Sequence, residues 1–183
     1  MASYNFNQDS HILKNFFHRR KDRHEAQVNA DELTLEEFLE YSNKRLVQSN
    51  ADGNCLFRSV SNCLLKTQSK HMVLRKLCVD WMTNNLDTIV DGVPFRDTIF
   101  LKPNQRNVME YLDQMSSDCE WGDFSCIVAL SRVLNVKFKI VVIHNQCVTS
   151  VLDVEPEKDV KETIWLAYDE SCLHYNLIVN DFR

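Results

Sequence analysis

A cysteine at position 55 follows a turn-forming sequence and begins an apolar stretch with helical spacing. The segment Asp52-Gly53-Asn54-Cys55 favours a tight turn, because aspartate and asparagine bond to nearby backbone and glycine adopts backbone angles that other residues avoid. At a helix start, unpaired N–H groups and the macrodipole lower the pKa of a thiol and favour a nucleophilic thiolate. The turn can also direct N–H groups at a developing oxyanion. Taken alone, Cys55 is better explained as a buried structural cysteine, because free cysteine is among the most buried residue types.

A thiol nucleophile needs a base, and histidine is the side chain that titrates near neutral pH. Among the six histidines, His174 begins the segment HYNLIV, which has the pattern of a strand. Alternation along a strand places His174 and Asn176 on the same face. An amide oxygen that accepts from one ring nitrogen leaves the other to face a thiol, which is the logic of a Cys-His-Asn triad. A histidine satisfied within its strand is the alternative.

The elements that must position these residues are predicted from hydrophobic periodicity. A capping-box pattern at Thr34 and Glu37 predicts a helix that starts near Thr34. Helical spacing predicts further helices from Cys55 and over 73–82, 108–115 and within 120–136, and loops with a short irregular helix are predicted over 87–107. Extended segments are predicted over 44–49, 137–144, 147–154, 163–169 and 174–180. The fold class is therefore α+β, with helices around a small, largely antiparallel sheet.

Composition narrows the class of protein. The chain has 183 residues, 44% of them apolar, which is typical of one globular unit. Its net charge of -5 argues against a protein that binds nucleic acid over a broad basic face. The basic cluster at 18–24 is interpreted as a solvated face, with a partner-binding arm as the alternative.

The cysteines and the apolar runs predict an intracellular protein. The seven cysteines include no CxxC pair, so reduced thiols in a cytoplasmic setting are expected, with no metal site and no cofactor. No apolar run reaches the roughly 18 to 20 residues that a membrane helix needs, and the N-terminus lacks the apolar core of a secretory signal. Cys63, on the apolar side of its predicted helix, is interpreted as a core thiol.

Three segments in order resemble the ovarian-tumour (OTU) family of papain-like cysteine proteases. They are DGNCLFRSV around Cys55, EWGDFSCIVALSRVLNVKFKIVV in the middle and HYNLIV near the end, and the similarity spans about residues 44 to 180. The resemblance implies a papain-like fold with helices flanking a small sheet, and the activity of a deubiquitinase. It makes Cys55 the nucleophile and His174 the general base and acid.

The same resemblance assigns the supporting residues. Asn176 matches the residue that orients the imidazole, and Asp52 matches the acidic residue that opens the cysteine loop. The backbone N–H groups of the segment from Asp52 through Gly53 and Asn54 to Cys55 are implied as the oxyanion hole.

Trp121 and Gly122 are expected beside the channel for the extended tail of the substrate, because a glycine next to an aromatic residue can line a narrow groove. A core-edge position for Trp121 is the alternative. Asp123 stands where the family often has a small residue, so the resemblance does not define this loop.

The predicted organisation is an N-terminal polar and helical extension over 1–43 followed by the protease domain over 44–183. The implied partners are ubiquitin, polyubiquitin chains or ubiquitin-like modifiers, with no nucleic acid and no membrane span. A cytosolic location follows, that of the host if the chain is viral or a bacterial effector. Two alternatives remain: a protease for another ubiquitin-like modifier or a viral polyprotein site, and a non-catalytic ubiquitin-binding module.

Overall fold

The computed structural model describes residues 33–182, so the basic cluster at 18–24 and most of the 1–43 extension lie outside it. The α-helices are α1 (Leu35–Tyr41), α2 (Cys55–Leu65), α3 (His71–Asn84), α4 (Val108–Ser116) and α5 (Phe124–Leu134), with 3-10 turns at Gln68–Lys70 and Phe95–Thr98. The strands are β1 (Lys44–Val47), β2 (Ile89–Val90), β3 (Val93–Pro94), β4 (Lys137–His144), β5 (Cys147–Val154), β6 (Thr163–Asp169) and β7 (His174–Asn180). None of the helices in 33–182 has the length and apolar character to cross a membrane.

The main sheet has five strands in the order β1-β7-β6-β4-β5. The pairs β1–β7, β6–β7 and β4–β5 are antiparallel, and β4–β6 is parallel. The α+β class and the largely antiparallel sheet predicted from the sequence are thereby confirmed. Strands β2 and β3 form a separate antiparallel pair within the segment predicted as loop. Each is two residues long, too short for alternation to appear in the sequence.

Local side-chain bonds fix where the helices begin. The capping box is formed, because the N–H of Glu37 donates to Thr34 Oγ1 at 3.3 Å and the N–H of Thr34 donates to Glu37 Oε2 at 3.1 Å. Asp123 caps α5 by accepting from the N–H of Cys126 at 3.1 Å. Its carboxylate also accepts from the buried Tyr111 hydroxyl at 3.0 Å. The cap explains why α5 begins at Phe124, after the break at Gly122 within the predicted segment 120–136.

Alternation along the strands divides the core into two layers. Ile140 and Leu166 face a large cluster built from α2, α3, α4 and α5. Val141 and Ala167, one residue away on each strand, face a smaller cluster that contains the fully buried Phe38 of α1. The segment 33–41, assigned to the N-terminal extension from the sequence, therefore packs against the sheet. The sheet lies between α1 and the other helices, with the start of α2 against β7.

Candidate active site

Cys55 is the first residue of α2 and is 8% exposed. Its Sγ accepts a hydrogen bond from the backbone N–H of Tyr175 at 3.4 Å. Tyr175 follows His174 directly in β7, so the thiol at the helix start lies beside the backbone at the start of the strand that carries the imidazole. The structure thus places the Cys55 thiol, selected from the sequence, against the strand that carries His174.

The electrostatic setting of the thiol differs from the sequence expectation. Burial raises the pKa of Cys55, the hydrogen bond from the N–H of Tyr175 and the nearby backbone N–H groups of Leu56 and Cys55 lower it, and the charge of Asp52 raises it. The net pKa is raised, so the expected lowering at the helix start is wrong. The physical reason is that desolvation of a thiolate outweighs the nearby N–H dipoles. A thiol of this kind holds its proton at neutral pH and needs a base.

His174 and Asn176 lie on the same face of β7, as the alternation predicted. His174 Nε2 lies 3.2 Å from Asn176 Oδ1. The backbone N–H of Ser49 also donates to Asn176 Oδ1, at 2.9 Å, which fixes the amide with its oxygen toward the ring. An oxygen acceptor at Nε2 assigns the hydrogen to that nitrogen and leaves Nδ1 as an acceptor for a proton.

Two buried serines, which the sequence analysis did not select, support this strand. Ser49 Oγ lies 2.8 Å from Ser59 Oγ, and Ser59 Oγ donates to the carbonyl of Tyr175 at 3.3 Å. Ser59 is fully buried in α2. The chain of bonds connects the helix that carries Cys55 to the strand that carries His174. A serine on the apolar side of a helix was the only sign of it in the sequence.

The turn before Cys55 requires glycine for two reasons. Gly53 has φ +81°, in the region that L side chains avoid. A Cβ on Gly53 would lie 1.9 Å from the carbonyl oxygen of Cys119. The prediction that this turn depends on glycine, both for its backbone angles and for a close approach, is confirmed, and the structure identifies the approaching group as the backbone of Cys119.

Asp52 shapes the same turn. Its carboxylate accepts from Arg58 Nε at 3.0 Å, from Arg58 Nη2 at 2.5 Å and from the N–H of Asn54 at 3.2 Å. The bond from Arg58 lowers the pKa of Asp52 to about 2, so the carboxylate is charged throughout the neutral range. None of the hydrogen bonds or ion pairs of Asp52 within the described residues involves His174. The structure therefore gives Asp52 contacts with the turn and with α2.

Trp121 and Gly122 lie in the loop that approaches the first turn of α2. Trp121 is 49% exposed, which favours a surface role over a core-edge position. A Cβ on Gly122 would lie 2.8 Å from Leu56 Cδ2 and 3.0 Å from Phe57 Cε2. The glycine therefore lets the loop pack closely on the helix that carries the thiol. In the described part of the chain, no group of His, Cys, Asp or Glu side chains is arranged to hold a metal ion.

Comparisons with known proteins find similar sequences over most of this chain. A family model described as OTU-like cysteine protease matches residues 50–175. The chain is 28% identical over 152 residues to putative ubiquitin thioesterase 232R of Invertebrate iridescent virus 3, covering 79% of this chain and 17% of that protein. It is 28% identical over 155 residues to OVARIAN TUMOR DOMAIN-containing deubiquitinating enzyme 10 of Arabidopsis thaliana, covering 84% of this chain and 40% of that protein. The chain thus spans less than half the length of these relatives.

Solved structures show the same fold. The OTU domain of OTUD1 superposes with a TM-score of 0.64 at 26% identity, covering 78% of this chain and 90% of that domain. An OTU domain solved in complex with ubiquitin superposes with a TM-score of 0.59 at 21% identity, covering 86% of this chain and 82% of that chain.

Proposed function

The chain belongs to the OTU-like cysteine protease family, and we propose that it is a cysteine-type deubiquitinase that hydrolyses isopeptide bonds at the C-terminal glycine of ubiquitin. One observation carries the proposal. The Cys55 thiol accepts a hydrogen bond from the backbone N–H of Tyr175 in β7, and His174, the residue before Tyr175, is hydrogen-bonded to Asn176. This is the order of groups that thiol-dependent acyl transfer needs: nucleophile, base, and a residue that orients the base.

The proposed reaction begins with a protonated thiol. His174 Nδ1 takes the proton of Cys55 as the sulfur attacks the glycine carbonyl, which forms a tetrahedral oxyanion. The imidazolium then gives its proton to the leaving lysine amine, and a thioester to Cys55 remains. Water, deprotonated by His174, hydrolyses the thioester and releases the ubiquitin carboxylate and the thiol. General acid–base catalysis of this kind typically increases the reaction rate by about 10²- to 10⁴-fold.

The supporting residues have separate proposed roles. Asn176 holds the imidazole with Nδ1 free to act. Gly53 and Cys55, with Asp52, supply the backbone N–H groups for the oxyanion, whereas the N–H of Asn54 donates to the Asp52 carboxylate and is not available. The Asp52 side chain stabilises the turn and does not act on the substrate. Trp121 is proposed to contact the substrate tail at the surface of the neighbouring loop.

Ubiquitin as the partner is supported by the names of the relatives and by the fold shared with a ubiquitin-bound OTU domain. We place the protease domain over 44–183, with α1 packed on its sheet as part of the same folded unit. A catalytic thiol must stay reduced, which is consistent with an intracellular setting.

Cleavage of di-ubiquitin tests the proposal. The parent should cleave it, Cys55→Ala and His174→Ala should abolish turnover, and Asn176→Ala should reduce it by a smaller factor. Cys63→Ala is the matched control, because Cys63 lies in the same helix as a half-buried thiol, and it should retain the parent rate.

Three results would contradict the proposal in different ways. Equal cleavage by Cys55→Ala would refute the nucleophile. Ubiquitin binding by the parent without cleavage would indicate a binding module, and cleavage of a ubiquitin-like protein in place of ubiquitin would change the substrate.

A further inference from the structure

A fully buried arginine is hydrogen-bonded to the turn before Cys55. Arg75 of α3 is 0% exposed, and its guanidinium donates to oxygens of two separate segments. Nη2 donates to the carbonyl of Gly53 at 3.3 Å, to Asn54 Oδ1 at 2.7 Å and to the carbonyl of Glu120 at 2.5 Å. Nη1 donates to the carbonyl of Met115 at 3.0 Å. The arginine thus joins the turn before Cys55 to the loop after α4.

Stability of the core alone does not account for this residue. Burial lowers the pKa of Arg75, yet a guanidinium keeps its proton far above neutral pH, so a charge is held in the interior. Its hydrogen bonds go to neutral acceptors, and its Nε has no hydrogen-bond partner among residues 33–182. Replacing buried charges by well-packed apolar side chains is often neutral or stabilising. The free-energy cost of burying the charge of Arg75 is therefore consistent with a role in positioning the segments to which it is bonded.

The peptide group between Gly53 and Asn54 is held from both sides. Its carbonyl accepts from Arg75 at 3.3 Å, and its N–H donates to Asp52 Oδ1 at 3.2 Å. A peptide group is planar, so these two bonds fix its orientation. The peptides on either side of it carry the N–H groups of Gly53 and Cys55. Holding the peptide between them restricts the positions that those two N–H groups can take.

The side chain of Asn54 strengthens the same connection. It is 1% exposed. Its Oδ1 accepts from Arg75 and, at 3.3 Å, from the N–H of Cys119, and its Nδ2 donates to Asp118 Oδ1 at 2.9 Å. One amide therefore ties the turn both to the arginine and to the loop that approaches Gly53.

We propose that Arg75 is a positioning residue for the oxyanion hole: through the Gly53 carbonyl and Asn54 Oδ1 it holds the turn so that the N–H groups of Gly53 and Cys55 face the developing oxyanion. The inference rests on the proposed function. Loss of one oxyanion donor typically lowers kcat by about 10²- to 10³-fold, and a misplaced turn should cost a comparable or smaller factor. Arg75 touches neither substrate nor thiol.

The test compares reactions that do and do not form an oxyanion. Arg75→Met keeps the length and apolar packing of the side chain, and Arg75→Lys restores a charge that can reach some of the carbonyls but not both segments. Arg96→Met is the control, because Arg96 is an exposed arginine paired with Asp87. Each variant is assayed for cleavage of a fluorogenic ubiquitin conjugate, for affinity for ubiquitin with a C-terminal aldehyde, and for alkylation of Cys55 by iodoacetamide.

The expected result is selective. Arg75→Met should lower kcat by about 10- to 100-fold with KM within about twofold, and it should weaken aldehyde binding by a similar factor. Alkylation proceeds by displacement of iodide without an oxyanion, so its rate should stay within about twofold of the parent. The kcat of Arg75→Lys should lie between those of Arg75→Met and the parent, and the kcat of Arg96→Met should equal that of the parent. Thermal unfolding of each variant tests whether it is folded. If Arg75→Met does not fold, Arg75→Lys is compared with the parent in its place.

Other outcomes overturn the inference. An unchanged kcat in a folded Arg75 variant would show that the turn holds its own geometry. A parallel loss of alkylation would show a disturbed thiol in place of a disturbed oxyanion hole. A parent that neither cleaves ubiquitin nor binds its aldehyde would refute the proposed function, and the role of Arg75 with it.

Discussion

Two glycines with similar backbone angles allow the geometry of the cysteine loop to be tested in isolation. Gly53 has φ +81° and Gly92 has φ +88°. A Cβ on Gly92 would meet nothing within 4 Å, whereas a Cβ on Gly53 would lie 1.9 Å from the carbonyl oxygen of Cys119. Substitution by alanine therefore imposes a similar backbone strain at both sites and a steric overlap at only one.

The magnitudes follow from these contacts. A non-glycine residue at positive φ costs about 1–2 kcal/mol, partly offset by about 0.4–1 kcal/mol from a less flexible unfolded chain. Gly92→Ala should therefore lower Tm by no more than a few degrees and leave activity unchanged. At Gly53 the overlap is about 1.5 Å inside ordinary contact at 3.4 Å, so the turn or the loop must move. A displacement of about 1 Å in a catalytic group can cost about 10²-fold.

The assay is kcat/KM on a fluorogenic ubiquitin conjugate, with Tm measured for both variants. We expect Gly53→Ala to lower kcat/KM by about 10²-fold or more relative to Gly92→Ala. If the two variants had equal activity, the close approach of Cys119 to the turn would not constrain the site and the account of the loop would be refuted.

The pKa of Cys55 is raised, so in His174→Ala the rate of Cys55 alkylation should increase with pH with a midpoint above about 8.5, the ordinary pKa of a thiol. A midpoint below that value would contradict burial as the dominant cause of the raised pKa. Arg58→Gln removes the bond that lowers the pKa of Asp52 to about 2. A lowered carboxyl pKa stabilises the fold above its unfolded value of about 3.9 and loses that effect as pH falls. The variant should therefore have a lower urea midpoint than the parent at pH 7, and the difference should shrink toward pH 2 and in high salt; a difference independent of pH would argue against the ion pair. Asp123→Ala removes a helix cap and the acceptor of a buried hydroxyl, which should cost about 2–4 kcal/mol in urea unfolding. Asp123→Asn, which can still cap, should cost less, and equal losses would count against the cap.

The parts of the molecule that depend on local pattern were predictable from the sequence. Strands β4 to β7 match their predicted ranges, because short runs rich in β-branched and aromatic residues are separated there by turn-like segments. The pairing of His174 with Asn176 follows from the two-residue period of a strand. The helix start near Thr34 follows from a capping box of four residues. In each case the determining contact lies within one turn or one strand.

The contacts that join distant segments were not predictable in this way. Arg75 lies in a helix with mixed polar and apolar residues, where an arginine is usually exposed. Its burial depends on the last turn of α4, 40 residues later at Met115. The bond from Ser49 to Asn176 spans 127 residues. The raised pKa of Cys55 has the same origin, because the sequence shows the helix start but not the packing that removes water from it.

The most direct test of the central claim uses ubiquitin with a thiol-reactive group at its C-terminus. After incubation, intact mass and peptide mapping report whether an adduct forms and on which of the seven cysteines. A single adduct on Cys55, lost in Cys55→Ala and strongly slowed in His174→Ala, is the predicted result. No adduct, or an adduct on one of the exposed thiols Cys119 and Cys172, would contradict the claim that Cys55 is the nucleophile of a deubiquitinase.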